Sequence, residues 1–581
     1  MAATKLYLSS AVLLICALAM VYANVFTAVV KLQKLHELEA SFLSGLNEYL
    51  TRHRSSGTRL PILQDVERFL STRFETNRTY LDKHYVENPI NAFRLVRRIH
   101  KDREELQKIC QNTGINYRCR DEHENCLTWA AVGECVQNPN FMLVKCKRSC
   151  NICQILKNST EEVNHFWADV TDDDVSGAAK ALVRLWRTYN LNIDDVIGGK
   201  ILDEISSPLT IEEVYDIAHE AGDQGLYYSQ IIWIEALHRR MKNLNKQIPE
   251  NQMELNIYRM LAWAYSKKFM PWKAVEIVRN ISTEDKGFIR DVEYFKVKAS
   301  EIPETNRLYD LYVDVPEKQQ YEALCRGEGI RPVHVTSRLK CYLRATIIPF
   351  YRAKEEVLNF DPRLSLFHDV IHEAERKEVR ESVYNSLQRS RVVGSNNGEQ
   401  DRLADTRVSE TAWLADQNSP LVRKLSQRVE IQTGLSTSQL EYLYHAEEMQ
   451  VLNYGIGGMY EPHNDFFDCA LSEHKIREGD PVNLKGSGDR IATWLYYLNG
   501  VKTGGSTVFT KLNVTVPVVE GAAAFWFNLK RNGVGDELTE HAGCPVLLGS
   551  KWVSNKWIRE TGQVFRRLCG KTIDAIDEPF D

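Results

Sequence analysis

Charge of one sign is not in excess: 73 Lys and Arg stand against 78 Asp and Glu, a net charge of −5 over 581 residues. With no basic run either, nothing marks a nucleic-acid partner. Past residue 30, no apolar stretch approaches the length of a bilayer span, so the chain reads as not membrane-spanning. No Gly-x-Ser-x-Gly elbow supports Ser/His/Asp catalysis. His368 and His372 stand four apart and read as one polar helix face. A zinc protease needs Glu directly after the first His, and Asp369 is there instead. The last residues, Glu578-Pro-Phe-Asp581, carry no KDEL-type retrieval signal.

What is present begins with an apolar stretch, Ala11 to Tyr22, behind Lys5. Val21 and Ala23 satisfy a small-residue cleavage rule, so residues 1–23 read as a signal peptide. A signal anchor is the alternative, because apolar residues continue to Val30. Thirteen cysteines agree with an oxidising compartment. Asn-x-Ser/Thr sequons at Asn77, Asn158, Asn280 and Asn513 are candidate glycosylation sites.

The chain is long enough for several cores, about four domains by length alone. Residues 24–118 read as helical. Leu35, Leu38, Phe42, Leu46 and Tyr49 recur at three- and four-residue steps, and further helices follow Pro61 and Pro89. An ordinary bundle and a coiled-coil-like association surface both fit this pattern. Residues 119–153 hold Cys119, Cys126, Cys135, Cys146, Cys150 and Cys153. So short a segment cannot build an apolar core, and three disulfides suit it better than zinc. Residues 165–305 read as paired helices at tetratricopeptide-like spacing. Ala218, Gly225, Tyr228, Trp233 and Ala236 mark one pair, and Ala262, Tyr265 and Ala274 a second. Such pairs make concave surfaces for extended peptides, although most of their aromatics would be core. After a linker at 306–340 the texture becomes short β-runs: Gln450–Tyr454, Ile491–Leu498, Thr507–Thr510, Val514–Val519, Ala522–Phe527 and Trp552–Ile558. These predict a sandwich, barrel or jelly roll over 341–571. A polar loop is expected at 388–405.

The chemistry centres on His463-Asn464-Asp465. On a strand, side chains two apart point the same way, so this pair aims an imidazole and a carboxylate at one point. One distant His would complete a facial triad, which holds non-haem Fe(II) and leaves three positions open for a 2-oxo acid and O₂. The same letters occur at His100-Lys-Asp102, but there in a helical segment, where the two side chains diverge. Only His474 and His541 follow Asp465. His474 lies in a charged loop, whereas His541 enters the apolar run Cys544–Leu548 and is the expected third ligand. Ten residues on, Lys551 opens a strand. Buried there, it would pair with the remote carboxylate of the oxo acid.

The string Asn453-Tyr-Gly-Ile-Gly-Gly-Met-Tyr-Glu-Pro-His-Asn-Asp465 resembles the α subunits of animal collagen prolyl 4-hydroxylases. So do Arg490-Ile-Ala-Thr-Trp-Leu-Tyr-Tyr-Leu498, Gly504-Gly-Ser-Thr-Val-Phe509 and Lys551-Trp-Val-Ser-Asn-Lys-Trp557. The run Cys126-Leu-Thr-Trp-Ala-Ala-Val-Gly-Glu-Cys135 resembles a ShK toxin-like domain, an insertion that the usual α subunit lacks. Together they imply a multidomain α plus β chain: helical dimerisation region, ShK-like module, TPR-like domain, and a C-terminal double-stranded β-helix. The resemblance implies Fe(II) on His463, Asp465 and His541. It places the 2-oxoglutarate C5 carboxylate on Lys551, Thr493 and Tyr454, with Tyr460 and Trp557 near the substrate. Tyr227, Tyr228, Tyr258 and Tyr265 would grip proline-rich peptide. Implied disulfides are Cys119–Cys153, Cys126–Cys146, Cys135–Cys150, Cys325–Cys341 and Cys544–Cys569. The implied activity is oxidative decarboxylation of 2-oxoglutarate to succinate with proline 4-hydroxylation in X-Pro-Gly repeats, using O₂ and L-ascorbate in the endoplasmic reticulum lumen. α subunits would self-associate and pair with protein disulfide isomerase as β subunit. The alternatives are a hydroxylase of another proline-rich secreted protein and a non-catalytic peptide-binding chaperone.

Overall fold

The computed structural model describes residues 29–55, 67–71, 85–112, scattered positions between 123 and 149, then 170–243, 252–307 less 280 and 282, 316–390 less 330, 406–439, 444–467, 486–570 and 572. The signal peptide, Cys119, Cys135, Cys150, Cys153, the sequons at Asn77, Asn158 and Asn280, His474 and loop residues 391–405 lie outside them. The chain divides into two compact units, 1–179 and 180–581.

In the first unit, α1 (Val29–Ser55) packs on α2 (Pro89–Asn112). Pro89 opens α2 without cost, since its missing N–H has no helical partner there. Asn88 caps it by accepting from the backbone N–H groups of Ile90 and Asn91. The buried stripe of α1 is Leu32, Leu35, His36, Glu39 and Leu43. Leu38 is only half-buried, and the side chains of Phe42, Leu46 and Tyr49 lie outside those described. Hydrophobic spacing misses the stripe because two members are polar. Arg98 of α2 donates to both oxygens of Glu39, at 2.5 and 2.8 Å. Burial alone would raise the Glu39 carboxyl, but Arg98 holds it below its usual range. Arg98→Met is therefore expected to destabilise the α1–α2 pair by about 3–5 kcal/mol, because it strands a buried carboxylate. Glu39→Leu/Arg98→Met should recover most of that. Hydrogen exchange of the α1 and α2 amides in the full chain measures both.

Further along this unit, α3 (Cys126–Ala131) is tied by a Cys126–Cys146 disulfide, with Met142 and Trp129 packed against it. The helix α4 (Asp172–Thr188) runs across the boundary between the units.

The second unit continues with α5 (Ile193–Ile197) and a small hairpin, β1 (Lys200–Ile201) with β2 (Glu204–Ile205). Five helices follow: α6 (Ile211–Asp223), α7 (Tyr227–Asn243), α8 (Gln252–Lys267), α9 (Pro271–Val278) and α10 (Lys286–Ser300). Each packs on the next. A Thr210–Glu213 capping box starts α6. Gly225, at φ +70°, turns the chain between α6 and α7. Ala218, Trp233, Ala236, Ala262 and Ala274 are all fully buried between these helices. So is Tyr265, at 3% exposure with its hydroxyl on Glu235.

After α11 (Pro316–Cys325) come the strands β3 (Cys341–Ala345), β4 (Arg352–Asn359), β5 (Leu364–His368), β6 (Gln388–Arg389), β7 (Arg407–Val408), β8 (Glu410–Leu414), β9 (Met449–Tyr454), β10 (Met459–His463), β11 (Arg490–Tyr497), β12 (Thr503–Gly504), β13 (Thr507–Phe509), β14 (Val514–Val516), β15 (Ala523–Phe527), β16 (His541–Gly543), β17 (Val546–Leu548) and β18 (Lys551–Arg559). Nine form one antiparallel sheet in the order β3-β4-β5-β15-β11-β18-β9-β8-β6. Five form a second, β14-β13-β16-β10-β7, and β12 pairs with β17. The two large sheets share one apolar core. Leu452, Leu495, Trp526 and Val553 come from the first, and Phe509, Val514 and Val516 from the second.

Two expectations are corrected here. Cys325 bonds Cys544, while Cys341 and Cys569 are exposed free thiols. The cause is the seat of α11: its Leu324 and Cys325 pack on Val508 and Ala542 of the smaller sheet. That brings the Cα atoms of Cys325 and Cys544 to 5.5 Å, within bridging range. Cys341 instead opens β3, the edge strand of the larger sheet. His368 and His372 do not share a helix face either. His368 ends β5 and meets Glu356, and His372 caps the next helix, Glu373–Val383.

Candidate active site

Strand register assembles the site. β10 and β16 are neighbours in the smaller sheet, and His463 stands directly opposite His541. Directly opposed side chains lie close enough to touch, and the two imidazole rings are 4.4 Å apart. Asp465 follows two residues beyond His463, just past the end of the strand. It reaches 3.9 Å from His463 Nε2 and 3.7 Å from His541 Nε2. One donor atom from each residue lies within 4.8 Å of the others, the only such metal-type cluster among the described residues. Asn464 turns away to Glu537, at 3.3 Å.

Backbone carbonyls orient both rings. His463 Nδ1 lies 2.8 Å from the Glu461 carbonyl and His541 Nδ1 lies 3.0 Å from that of Thr539. A carbonyl only accepts, so each Nδ1 carries a proton, and Nε2 is the ring nitrogen that each histidine turns toward Asp465. Burial and the neighbouring His541 push the His463 imidazole well below its usual range. Burial alone would raise the Asp465 carboxyl, but His541, His463 and Arg490 hold it low. Neutral imidazole beside ionised carboxylate is the protonation state a divalent metal requires. Two nitrogens and one carboxylate on one side of a point suit non-haem Fe(II) and leave three positions open.

The larger sheet supplies the facing wall. Thr493, on β11, lies opposite Trp557 of β18 and Trp526 of β15. Its hydroxyl donates to Asp465 Oδ2 at 2.7 Å, and Asn528 donates to Thr493 at 2.9 Å. This differs from the sequence expectation, which put Thr493 on the oxo acid. Lys551 lies opposite Tyr454 in register and is 3% exposed. Its ammonium sits 5.6 and 5.8 Å from the Tyr454 and Tyr497 rings and 3.3 Å from the Thr507 hydroxyl. Burial, with no carboxylate to offset it, brings Lys551 down to about 7. A buried amine short of a counter-ion fits an anionic ligand.

Tyr460 stacks on His463 with ring centroids 3.5 Å apart. Trp557 lies 3.7 Å from the Arg490 guanidinium, and its buried indole N–H has no partner among the described residues. Arg490 is fixed by two bonds to Glu447, and Arg407 lies 4.8 Å from the Tyr460 ring. Sequence reasoning gave no role to Tyr497, Thr507, Arg407 or Arg490. Tyr497 was within reach, since Thr493, Leu495 and Tyr497 share one face of β11 by strand alternation.

Away from this site, α6, α7 and α8 enclose a groove of about 400 Å³, lined among others by Tyr215, His219, Tyr227, Arg259, Trp263 and Lys267. Of the four tyrosines expected to grip peptide, Tyr227 lines it. Tyr228 stacks on Trp186, Tyr258 on His238, and Tyr265 is core. Tyr265 belongs to the spacing that packs the helices together, which leaves its ring nothing to offer a peptide.

Comparison with known proteins agrees with this layout. Residues 449–559 match the 2OG-Fe(II) oxygenase superfamily, residues 28–125 the prolyl 4-hydroxylase alpha-subunit N-terminal region, and residues 118–153 a ShK domain-like family. Prolyl 4-hydroxylase subunit alpha-2 of Caenorhabditis elegans is 32% identical over 591 residues, covering 98% of each chain. Prolyl 4-hydroxylase subunit alpha-1 of Homo sapiens is 29% identical over 579 residues, covering 95% of this chain and 96% of its own. Among solved structures, a viral collagen prolyl hydroxylase of Paramecium Bursaria Chlorella virus-1 aligns over 34% of this chain and 94% of its own, at 21% identity and a TM-score of 0.26. A relationship that runs the length of the chain, with the His–Asp–His cluster inside its oxygenase segment, makes this chain a member of the prolyl 4-hydroxylase alpha subunits, Fe(II)- and 2-oxoglutarate-dependent dioxygenases.

Proposed function

We propose that this chain hydroxylates C4 of proline in X-Pro-Gly repeats of procollagen-like chains. The observation that carries the reading is the donor set of half-buried His463 with buried Asp465 and His541, and Lys551, a buried cation short of a counter-ion, across the same core. His463, Asp465 and His541 would hold Fe(II), and Lys551 with Thr507 and Tyr454 would hold the far carboxylate of 2-oxoglutarate. Together Fe(II) and 2-oxoglutarate supply, with O₂, the oxidative decarboxylation to succinate and CO₂ that puts an oxygen atom into a C–H bond; ascorbate would keep the iron reduced. The chain's own share is placement and dryness. Thr493 fixes the Asp465 carboxylate by donating to it. Tyr460 and Trp557 wall the substrate side, and the apolar core behind Lys551 excludes water.

In this reading the paired sheets are a jelly roll, and α6–α10 form a TPR-like peptide-binding domain. Its groove, with Tyr215, Tyr227 and Trp263, takes a polyproline II strand against ring faces. The segments read from the sequence keep their roles in this reading except the linker at 306–340, whose α11 packs on the smaller sheet. The N-terminal helices join α subunits, the ShK-like module is structural, and protein disulfide isomerase is the β partner in the endoplasmic reticulum lumen. The disulfides support an oxidising compartment. Among the described residues no helix is long and apolar enough to cross a membrane. Asn513, in the turn between β13 and β14, remains a candidate for glycosylation.

The test supplies a Pro-Pro-Gly repeat peptide with Fe(II), 2-oxoglutarate, O₂ and ascorbate. Peptide gaining the mass of one oxygen per modified proline, matched by succinate, is the expected result. Binding of the peptide with no added mass would leave only the chaperone reading.

A further inference from the structure

Three turns meet beside the Lys551 pocket. The first is Gly455–Gly458, between Tyr454 and β10. The second is Gly504–Gly505, two residues before Thr507. The third is Pro545–Val546, just past β16. They are laced together by backbone bonds: Gly457 N–H to Val546 carbonyl at 2.8 Å, Val546 N–H to Gly458 carbonyl at 3.1 Å, and Gly505 N–H to Pro545 carbonyl at 3.1 Å. The node reaches the pocket directly. A Cβ on Gly505 would stand 3.5 Å from Lys551 Cδ.

The end of α4 sits on this node. Arg184 donates to the Gly457 carbonyl at 2.7 Å. The Tyr189 hydroxyl donates to the Pro545 carbonyl, the same oxygen that Gly505 uses. The approach is close enough to exclude larger side chains. A Cβ on Gly457, at φ +70°, would stand 2.5 Å from Ala181 Cβ, and one on Gly504 would stand 2.5 Å from the Tyr189 hydroxyl. On its other contacts, α4 is anchored in the helical domain, where Trp186 packs on Tyr228 and Trp233.

We propose that Tyr189 and Arg184 are positioning residues for the 2-oxoglutarate pocket, holding the glycine turns that set Tyr454, Thr507 and Lys551 around the oxo acid. The proposal rests on the assignment of that pocket to 2-oxoglutarate. Neither residue touches the ligand. Each acts through a turn backbone whose shift would move Lys551 or its neighbours, and a buried ionic contact is sensitive to such shifts.

The experiment uses the full chain in its assembled form. Calorimetry with Fe(II) under nitrogen gives the 2-oxoglutarate Kd, and steady-state assays give KM and kcat for wild type, Tyr189→Phe and Arg184→Met. Each variant is expected to raise Kd and KM for 2-oxoglutarate about 3–10-fold, the scale of one lost buried hydrogen bond. The kcat at saturating 2-oxoglutarate, the Pro-Pro-Gly peptide affinity and the thermal unfolding temperature should stay near wild type. A merely structural contact would lower the unfolding temperature and leave the Kd of the folded fraction alone, and that result overturns the proposal. So does a wild-type Kd in both variants. If wild type itself binds no 2-oxoglutarate, the pocket assignment fails first.

Discussion

Asp465→Ala is expected to take proline hydroxylation to background and to strip iron from the chain, while binding of a Pro-Pro-Gly peptide at the proposed α6–α8 site stays as before. Asp465 is the one anionic donor beside two imidazoles, so its loss removes the charge that holds a divalent cation. Thr493 tests the same site one bond further out. Its hydroxyl donates to Asp465 Oδ2 at 2.7 Å and is itself held by Asn528. Thr493→Val keeps the shape and deletes that bond, so iron affinity or turnover should fall about 10–100-fold. Metal analysis of the purified chain and oxygen-mass incorporation into a Pro-Pro-Gly peptide measure both effects. Thr493→Val acting only on the KM for 2-oxoglutarate, with iron affinity intact, would instead return Thr493 to the oxo-acid role first expected of it.

That reassignment shows where sequence reading runs out. His463 and Asp465 were legible because a strand period of two is a local property. His541 was legible by elimination, since the alternative, His474, lies in a charged loop, but the contact itself was not, because the register between β10 and β16 joins residues 78 apart and no local pattern states it. Strand ends were legible to within a few residues, and the largest miss has a cause. β14 was expected to run to Val519 but stops at Val516, because Pro517 has no N–H to give the ladder. The side-chain partners across the two sheets needed the sheets first. Thr493 lies on the correct face in any register, yet only the sheet-to-sheet approach decides that Asp465 is its neighbour. The Cys325–Cys544 bond has the same origin, since it depends on where α11 docks, with a sequence separation of 219. In the helical domain, Tyr265 carried two readings at once, packing position and peptide contact. The spacing that marked it was a packing spacing, and the core took it. On α1 the error ran the other way. A buried Glu39 is invisible to hydrophobic periodicity until its partner Arg98 is known.

Lys551→Ala should weaken 2-oxoglutarate binding by about 30-fold or more, since truncating one partner of a buried charge pair costs about 2–5 kcal/mol. The pH dependence is the sharper result. With the pocket empty, burial brings Lys551 down to about 7 from an ordinary 10.5. Above that pH the empty folded chain holds a neutral amine, whereas the ligand's carboxylate needs an ammonium. Binding must then take up a proton, and affinity falls as pH rises through 7, by up to about tenfold per pH unit. Below 7 the amine is already charged and affinity levels off. The same linkage fixes the sign for stability. An unfolded chain keeps its lysine protonated to about 10.5, so between 7 and 10.5 the unfolded state binds more protons and stability from this group rises with pH. Acidification from 10.5 to 7 removes that contribution from the empty chain, nothing further is lost below 7, and bound 2-oxoglutarate restores it. Calorimetry at pH 8 in buffers of different ionisation enthalpy should find roughly 0.9 proton taken up per 2-oxoglutarate bound. Lys551→Arg keeps its charge throughout this range, so it should abolish the uptake even where affinity is reduced. Equal proton uptake in wild type and Lys551→Arg would mean that another group titrates, and that Lys551 enters the pocket already charged.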